Sequence, residues 1–313
     1  MRIALAMGMA TVLALLPGCG DSGGNAEAPA APVADAAFQA GQQAWRDRRI
    51  ESLIQPDGWT SLVGLHWLEL KAHYIGSGER IGNTMRLAFG PARMGLVTRD
   101  DDGHYWFTPE QGVELDYNGE PMKGRVRLYD DHDGEPAVIG FDAGKGKLTL
   151  LQRGGRHALR VRHADAPTRL HFAGLQYWPA DPGWRIEGRF IAHAPGKTLP
   201  IGDIVGNRND SPNPGAVEFE RDGQRYQLEA LGGPEGLSFI IADRTSGHGS
   251  YPAGRYLDAE WPGADGKVVL DFNRAYSPPC AFTRFATCPL PPPENRVDLA
   301  ITAGEKNYVP GKS

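Results

Sequence analysis

The side chains best suited to chemistry gather late in the sequence: Asp271-Phe272-Asn273-Arg274-Ala275-Tyr276, then Pro278-Pro279-Cys280, Cys288-Pro289 and Pro291-Pro292-Pro293-Glu294-Asn295-Arg296. A segment that is apolar at Val268-Val269-Leu270 and then delivers Asp, Asn, Arg and Tyr within six positions places hydrogen-bonding groups at a sheet edge or pocket mouth. The prolines restrict the backbone, so a stiff irregular loop is expected over 271–296. The candidate binding residues are Asp271, Asn273, Arg274, Tyr276, Glu294, Asn295 and Arg296, with Arg255 farther upstream. Guanidinium groups suit carboxylate or phosphate because their donors match two oxygens at once.

Two classes of function fit this inventory. A binding module would take a small ligand, a glycan or a protein on the polar loop. A hydrolase acting on an anionic or acyl substrate would use Asp271 or Glu294 as acid or base, His248 as general base and the arginines as an anion clamp. In the glycine-rich stretch Thr245-Ser246-Gly247-His248-Gly249-Ser250-Tyr251, His248 with Asp243 or Asp271 would activate Ser246, Ser250 or a water. A plain turn explains the same composition. The margin falls to the binding module, because G-x-S-x-G occurs only as Gly20-Asp21-Ser22-Gly23-Gly24 in the small, polar stretch after Cys19, away from any strand-to-helix turn, no lysine follows a serine at S-x-x-K, and H-E-x-x-H is absent. Cys280 and Cys288 read as a disulfide in an exported chain: redox pairs sit closer together, and two cysteines alone make an incomplete zinc site. Closing so short a loop contributes roughly 2.6 kcal/mol in the chain-entropy picture. Asp101-Asp102-Gly103 is a turn that needs no calcium, and neither a metal nor a cofactor is expected.

The 41 glycines and 25 prolines lie between alternating apolar runs, which is how turns in a β-rich protein look. Strand pairs are expected over Gly95–Thr98 and Tyr105–Thr108, over Lys147–Arg153 and His157–His163 around Gly154-Gly155, and over Val217–Glu220 and Tyr226–Leu231. Single strands are expected at Trp184–Ala192, Leu237–Ala242, Tyr256–Trp261, Val268–Phe272 and Val297–Ile301. Phe38, Trp45 and Leu53 recur near helical spacing, so residues 35–54 predict one amphipathic helix with Asp35 as its cap. The fold class is therefore mainly β, with that helix followed by two β-rich units, 55–170 and 171–313. The Arg156, Arg160 and Arg162 side chains contribute cations along one strand; a solvated basic face is the default reading, with an anion site as the alternative. A net charge of −5, from 33 basic and 38 acidic residues spread along the chain, argues against nucleic acid as a partner.

The amino end carries a different signal. Arg2 precedes a short apolar run, Ile3 to Leu16, closed by Leu16-Pro17-Gly18-Cys19. The pattern resembles the lipobox of bacterial lipoproteins, which implies a signal peptide over 1–18, cleavage before Cys19 and lipidation of that cysteine. Residues 19–34, small and polar with scattered proline, form a tether. A membrane partner through the lipid anchor is implied, and Gly20 favours the outer membrane, facing the periplasm.

Longer motifs carry a family likeness. GWTSLVGLHWLE, LLQRGGRHALRVR, FIIADRTSGHGSYPAGRYL and DFNRAYSPPCAFTRFATCPLPPPENRVDLAITAGEK resemble the bacterial family known as domain of unknown function 1684, from about Trp45 to Lys306. The likeness implies envelope-associated or lipoprotein relatives and supplies no catalytic residues. Over Leu62 to Arg162, a Tyr74-Ile75-Gly76-Ser77 turn, short strands and Tyr117-Asn118-Gly119 are similar to a forkhead-associated β-sandwich. Pro91-Ala92-Arg93-Met94-Gly95 stands where that fold's phosphate-binding stretch belongs, so only the fold analogy is kept.

Overall fold

Alternation and turn chemistry build this protein hairpin by hairpin. The structure, a computed structural model, describes residues 36–79, 82 and 84–311. The expected signal peptide, Cys19, the tether and the Asp35 cap lie outside the described residues. Helix α1 (Ala36–Leu53) precedes β1 (Leu62–Trp67), β2 (Ala72–Gly76), β3 (Met85–Arg86), β4 (Gly95–Arg99), β5 (Tyr105–Pro109), β6 (Asp116–Tyr117), β7 (Glu120–Pro121), β8 (Val126–Leu128), β9 (Val138–Phe141), β10 (Gly146–Arg153) and β11 (Arg156–His163). A single-turn helix α2 (Pro167–Leu170) leads to β12 (Arg185–Ala192), β13 (Thr198–Gly202), β14 (Arg208–Pro212), β15 (Gly215–Arg221), β16 (Gln224–Gly232), β17 (Leu237–Ile241), β18 (Arg255–Ala259) and β19 (Lys267–Asp271). The described residues fall in one compact unit, and the loop-rich stretch between β11 and β12 separates its two strand sets.

The first set is a sandwich. A six-stranded sheet, β1-β11-β10-β9-β6-β7, faces a five-stranded one, β3-β2-β4-β5-β8. Period-2 alternation sends Leu148, Leu150, Leu159 and Val161 inward from β10 and β11, where they join Ile75, Val97 and Phe107 of the facing sheet in one buried cluster. The β10–β11 turn has Gly154 at φ 55° and Gly155 at φ 73°, the left-handed pair that a two-residue hairpin loop demands. The Tyr74-Ile75-Gly76-Ser77 turn is not observed: Tyr74 to Gly76 complete β2, whose Ile75 is buried in the core. Burial of Ile75 outweighs the local turn propensity of Gly76.

The second set is an antiparallel sheet, β18-β17-β16-β15-β12-β19, with the β13–β14 hairpin beside it. The sequence reading did not anticipate that hairpin, whose outer strand is mostly exposed and polar. The sheet core, including Phe219, Leu228, Phe239, Leu257 and Leu270, is covered by Phe272, Leu299 and Ile301. Residues 297–301 are not the expected last strand. Their alternation still buries Leu299 and Ile301, but the connection to β17 reduces to separate bonds such as Val297 N to Ala242 O and Arg244 N to Leu299 O. The prolines at 289 and 291–293 hold the preceding segment in an irregular path, so the chain reaches 297 outside a ladder register.

Helix α1 occupies 36–53, close to the expected span, but it docks by polar contacts. Its buried residues are Gln42 and Leu53. Gln42 Nε2 donates to Asp271 at 2.8 Å, Arg46 donates to the Trp178 carbonyl at 3.0 Å with its guanidinium over the Tyr177 ring, and Arg49 reaches Glu305. The first element of the described residues is thus fastened to residues of the second strand set.

Candidate functional site

Four segments converge on a groove of about 820 Å³. Helix α1 supplies Trp45, Arg48 and Arg49; the β16–β17 connection supplies Gly232 to Gly236; β18 and the residue after it supply Asp258 and Glu260; and the segment leaving β19 supplies Arg274 and Tyr276, with Trp59 at one side. The volume falls in the range typical of small-molecule sites.

The local structure around Arg274 explains its orientation. Asp271 ends β19 and caps the following turn by accepting from Asn273 N at 3.2 Å; it also accepts from Asn273 Nδ2 at 3.0 Å and from Gln42. Its Oδ2 lies 3.3 Å from Arg274 Nε, which has no hydrogen-bond partner. The carboxylate is thus divided among several donors, and the half-exposed Arg274 guanidinium keeps donors for the groove. Tyr276 is held on both sides, by Arg49 stacked 4.7 Å from its ring centroid and by Asp258 Oδ2, which accepts its hydroxyl at 2.9 Å. Burial, reinforced by the neighbouring Asp258 carboxylate, holds the Tyr276 phenol well above its usual range, so it serves as a neutral hydrogen-bond donor. Arg49 is fixed in turn: Nε meets Glu305 Oε1 at 2.9 Å and a terminal nitrogen donates to Ser277 O at 2.8 Å.

The remaining predicted residues are placed elsewhere. Arg255 is fully buried and does not line the groove; its guanidinium donates to Asp243 at 2.9 Å and to the Ile301 and Ala303 carbonyls, tying β18 to the segment that covers the core. Asn273 clamps Asp181 through its backbone N and O, both at 2.9 Å, and Asn295 does the same to Glu229 at 2.7 and 2.9 Å. Both asparagines are buried and work as connectors. Glu294 and Arg296 are exposed, and Arg296 donates weakly to Pro291 O at 3.4 Å. His248 is exposed, and its ring meets only the Ser246 carbonyl, at 3.2 Å, among the described residues. Ser250 Oγ is taken by Thr245 Oγ1 at 2.6 Å, and Asp243 by Arg255, Thr245 N and Ile301 N. Asp271, Glu294 and His248 share no hydrogen bond, and none of them lines the groove.

Cys280 and Cys288 form a disulfide with Cα atoms 6.1 Å apart, and Cys288 packs with Leu62 and Ala286. Sequence reasoning missed Arg48, Arg49, Trp59 and Asp258 at the groove. The run Arg46-Asp47-Arg48-Arg49 was the available signal, but on a helix such a run is as readily a solvated face.

No curated protein matches the chain. A solved solution structure, of an uncharacterized protein from Haloarcula marismortui, is similar at 33% identity over 44% of this chain and 78% of that one, with a TM-score of 0.37. The likeness read from Trp45 to Lys306 finds its counterpart in the second half: residues 170–306 match the family described as Protein of unknown function (DUF1684).

Proposed function

We propose that this protein is an envelope-tethered binding module that takes a small ligand with an anionic group in the groove between α1 and the β16–β17 connection. The observation that carries this reading is Arg274: a guanidinium at the groove wall, with its carboxylate neighbour divided among other donors and Tyr276 locked beside it. Trp45 and Trp59 offer flat apolar surface for the body of the ligand. Tethering rests on Leu16-Pro17-Gly18-Cys19 and is supported by the Cys280–Cys288 disulfide, which suits an oxidising compartment such as the periplasm.

The test is a thermal-shift screen of metabolites and glycan fragments, with mass spectrometry of the native protein for acyl chains on Cys19. A compound that raises the melting temperature of the wild type but not of folded Arg274→Ala supports the groove. Screening that gives no shift, or a shift that survives Arg274→Ala, removes it.

A further inference from the structure

A second pocket, of about 290 Å³, lies where the outer face of the six-stranded sheet meets the second strand set. Its floor is Arg160 of β11 with Trp59 beside it; its far wall comes from Ser211 of β14 and from Pro279, Ala286 and Thr287 of the disulfide loop. We propose that this pocket binds a small carboxylate with an apolar body, held by the Arg160 guanidinium. The reading does not depend on the groove, with which it shares only Trp59.

Three observations lead to Arg160. Its side chain makes neither an ion pair nor a hydrogen bond among the described residues, its Nε is buried without a partner, and its guanidinium stands 5.5 Å from the Trp59 ring centroid. The surrounding charge is cationic: Arg162 lies on the same face of β11, also against Trp59 at 5.6 Å, and the nearby acid Asp131 is already engaged by Arg153 at 2.6 Å. Burial first, then repulsion from Arg162 and Arg153, pushes Arg160 down to about 10 against the pull of Asp131. The acid in the pocket wall, Asp203, offers no relief, because its carboxylate accepts from Val205 N at 3.1 Å and from Asn207 N and Nδ2 at 2.8 and 2.9 Å.

A desolvated cation with no counter-ion destabilises the fold, and such a group at a cavity is what an anion site requires before its ligand arrives. The planar fork of the guanidinium matches the two oxygens of a carboxylate. The wall residues Trp59, Pro279 and Ala286 favour an apolar body, and the Ser211 and Thr287 side chains add hydrogen-bonding capacity.

Benzoate, titrated calorimetrically into the purified full-length chain at constant ionic strength, tests the assignment, with inorganic phosphate as a second arm. Benzoate is expected to bind saturably and raise the melting temperature. Arg160→Gln should weaken binding roughly 10- to 150-fold, the range for one charge-assisted hydrogen bond, while the ligand-free melting temperature holds or rises. Arg160→Lys, which keeps the cation without the fork, should bind with intermediate affinity, and Arg156→Ala, at an exposed cation of the same strand that lines neither pocket, should bind benzoate as the wild type does. A ligand-free melting temperature that falls in Arg160→Gln, or benzoate affinity unchanged by Arg160→Gln and Arg160→Lys, overturns the proposal. Phosphate binding as tightly as benzoate overturns the preference for an apolar body.

Discussion

Arg49→Met would leave a carboxylate stranded in the interior. Glu305 is fully buried, and its two oxygens take Arg49 Nε at 2.9 Å and Ser277 N at 2.8 Å. At that separation the Coulomb attraction is about 6 kcal/mol for an effective dielectric near 20, set against desolvation of several kcal/mol per ion. The pair therefore contributes little net, whereas one half alone is costly. Methionine retains an apolar stem against Tyr276 and Phe282, over which the guanidinium now lies, so the change removes the charge and its hydrogen bonds to Glu305 and Ser277 O while keeping most of the packing. The expected loss is about 3–5 kcal/mol, typical of breaking a buried pair from one side. For a chain of this size that is a fall of roughly 6–20 °C in melting temperature. Urea unfolding followed by far-UV circular dichroism and by tryptophan fluorescence measures it directly. The double variant Arg49→Met/Glu305→Gln should recover about 2 kcal/mol or more, because the stranded charge is gone. Arg244→Ala, at an exposed pair with Asp298, should leave the midpoint unchanged. An Arg49→Met loss below about 1 kcal/mol, or a double variant no more stable than the single one, would refute the reasoning.

Two further predictions concern pH and the junction of the strand sets. Burial alone would raise the Glu229 carboxyl, but hydrogen bonds from His193 and Asn213 and the neighbouring His193 and Lys197 charges hold it below its ordinary value. A depressed carboxylate contributes stability that is complete above its unfolded value, about 4.3, and is lost as pH falls through the lower folded value. Acid unfolding of Glu229→Gln should lack that component; equal acid sensitivity in variant and wild type contradicts it. Gly154→Ala combines a left-handed backbone at φ 55° with a Cβ that would overlap the Asn207 side chain across the junction. A loss of roughly 1–3 kcal/mol is expected in chemical denaturation, and neutrality would show that the β10–β11 turn does not approach Asn207 so closely.

Much of the architecture was legible because its causes are local. Gly154-Gly155 can turn left-handed, and period 2 on either side separates Leu148 and Leu150 from Lys147 and Thr149 whatever lies elsewhere in the chain. The proline-flanked cysteines, eight positions apart, were close enough in sequence to pair without knowledge of the fold. The Val297–Ile301 alternation likewise foretold burial, although not the absence of a ladder.

Chemistry at the polar loop was legible only in part. Composition marked Asp271, Asn273, Arg274, Tyr276, Asn295 and Arg255 alike, and nothing local distinguishes a buried connector from a group facing a cavity. That distinction was made by partners far away: Gln42 for Asp271 at a separation of 229 residues, Glu229 for Asn295 at 66, and Arg49 for Glu305 at 256. Arg160 reverses the case, since its alternation with Arg156 and Arg162 read as a solvated face until Trp59 and the disulfide loop closed over it. The sequence by itself determined which segments turn, which alternate and which cysteines can meet, because backbone sterics and side-chain period act over a few residues. Tertiary structure alone decided which cations keep a counter-charge, because that depends on which distant surfaces exclude water together.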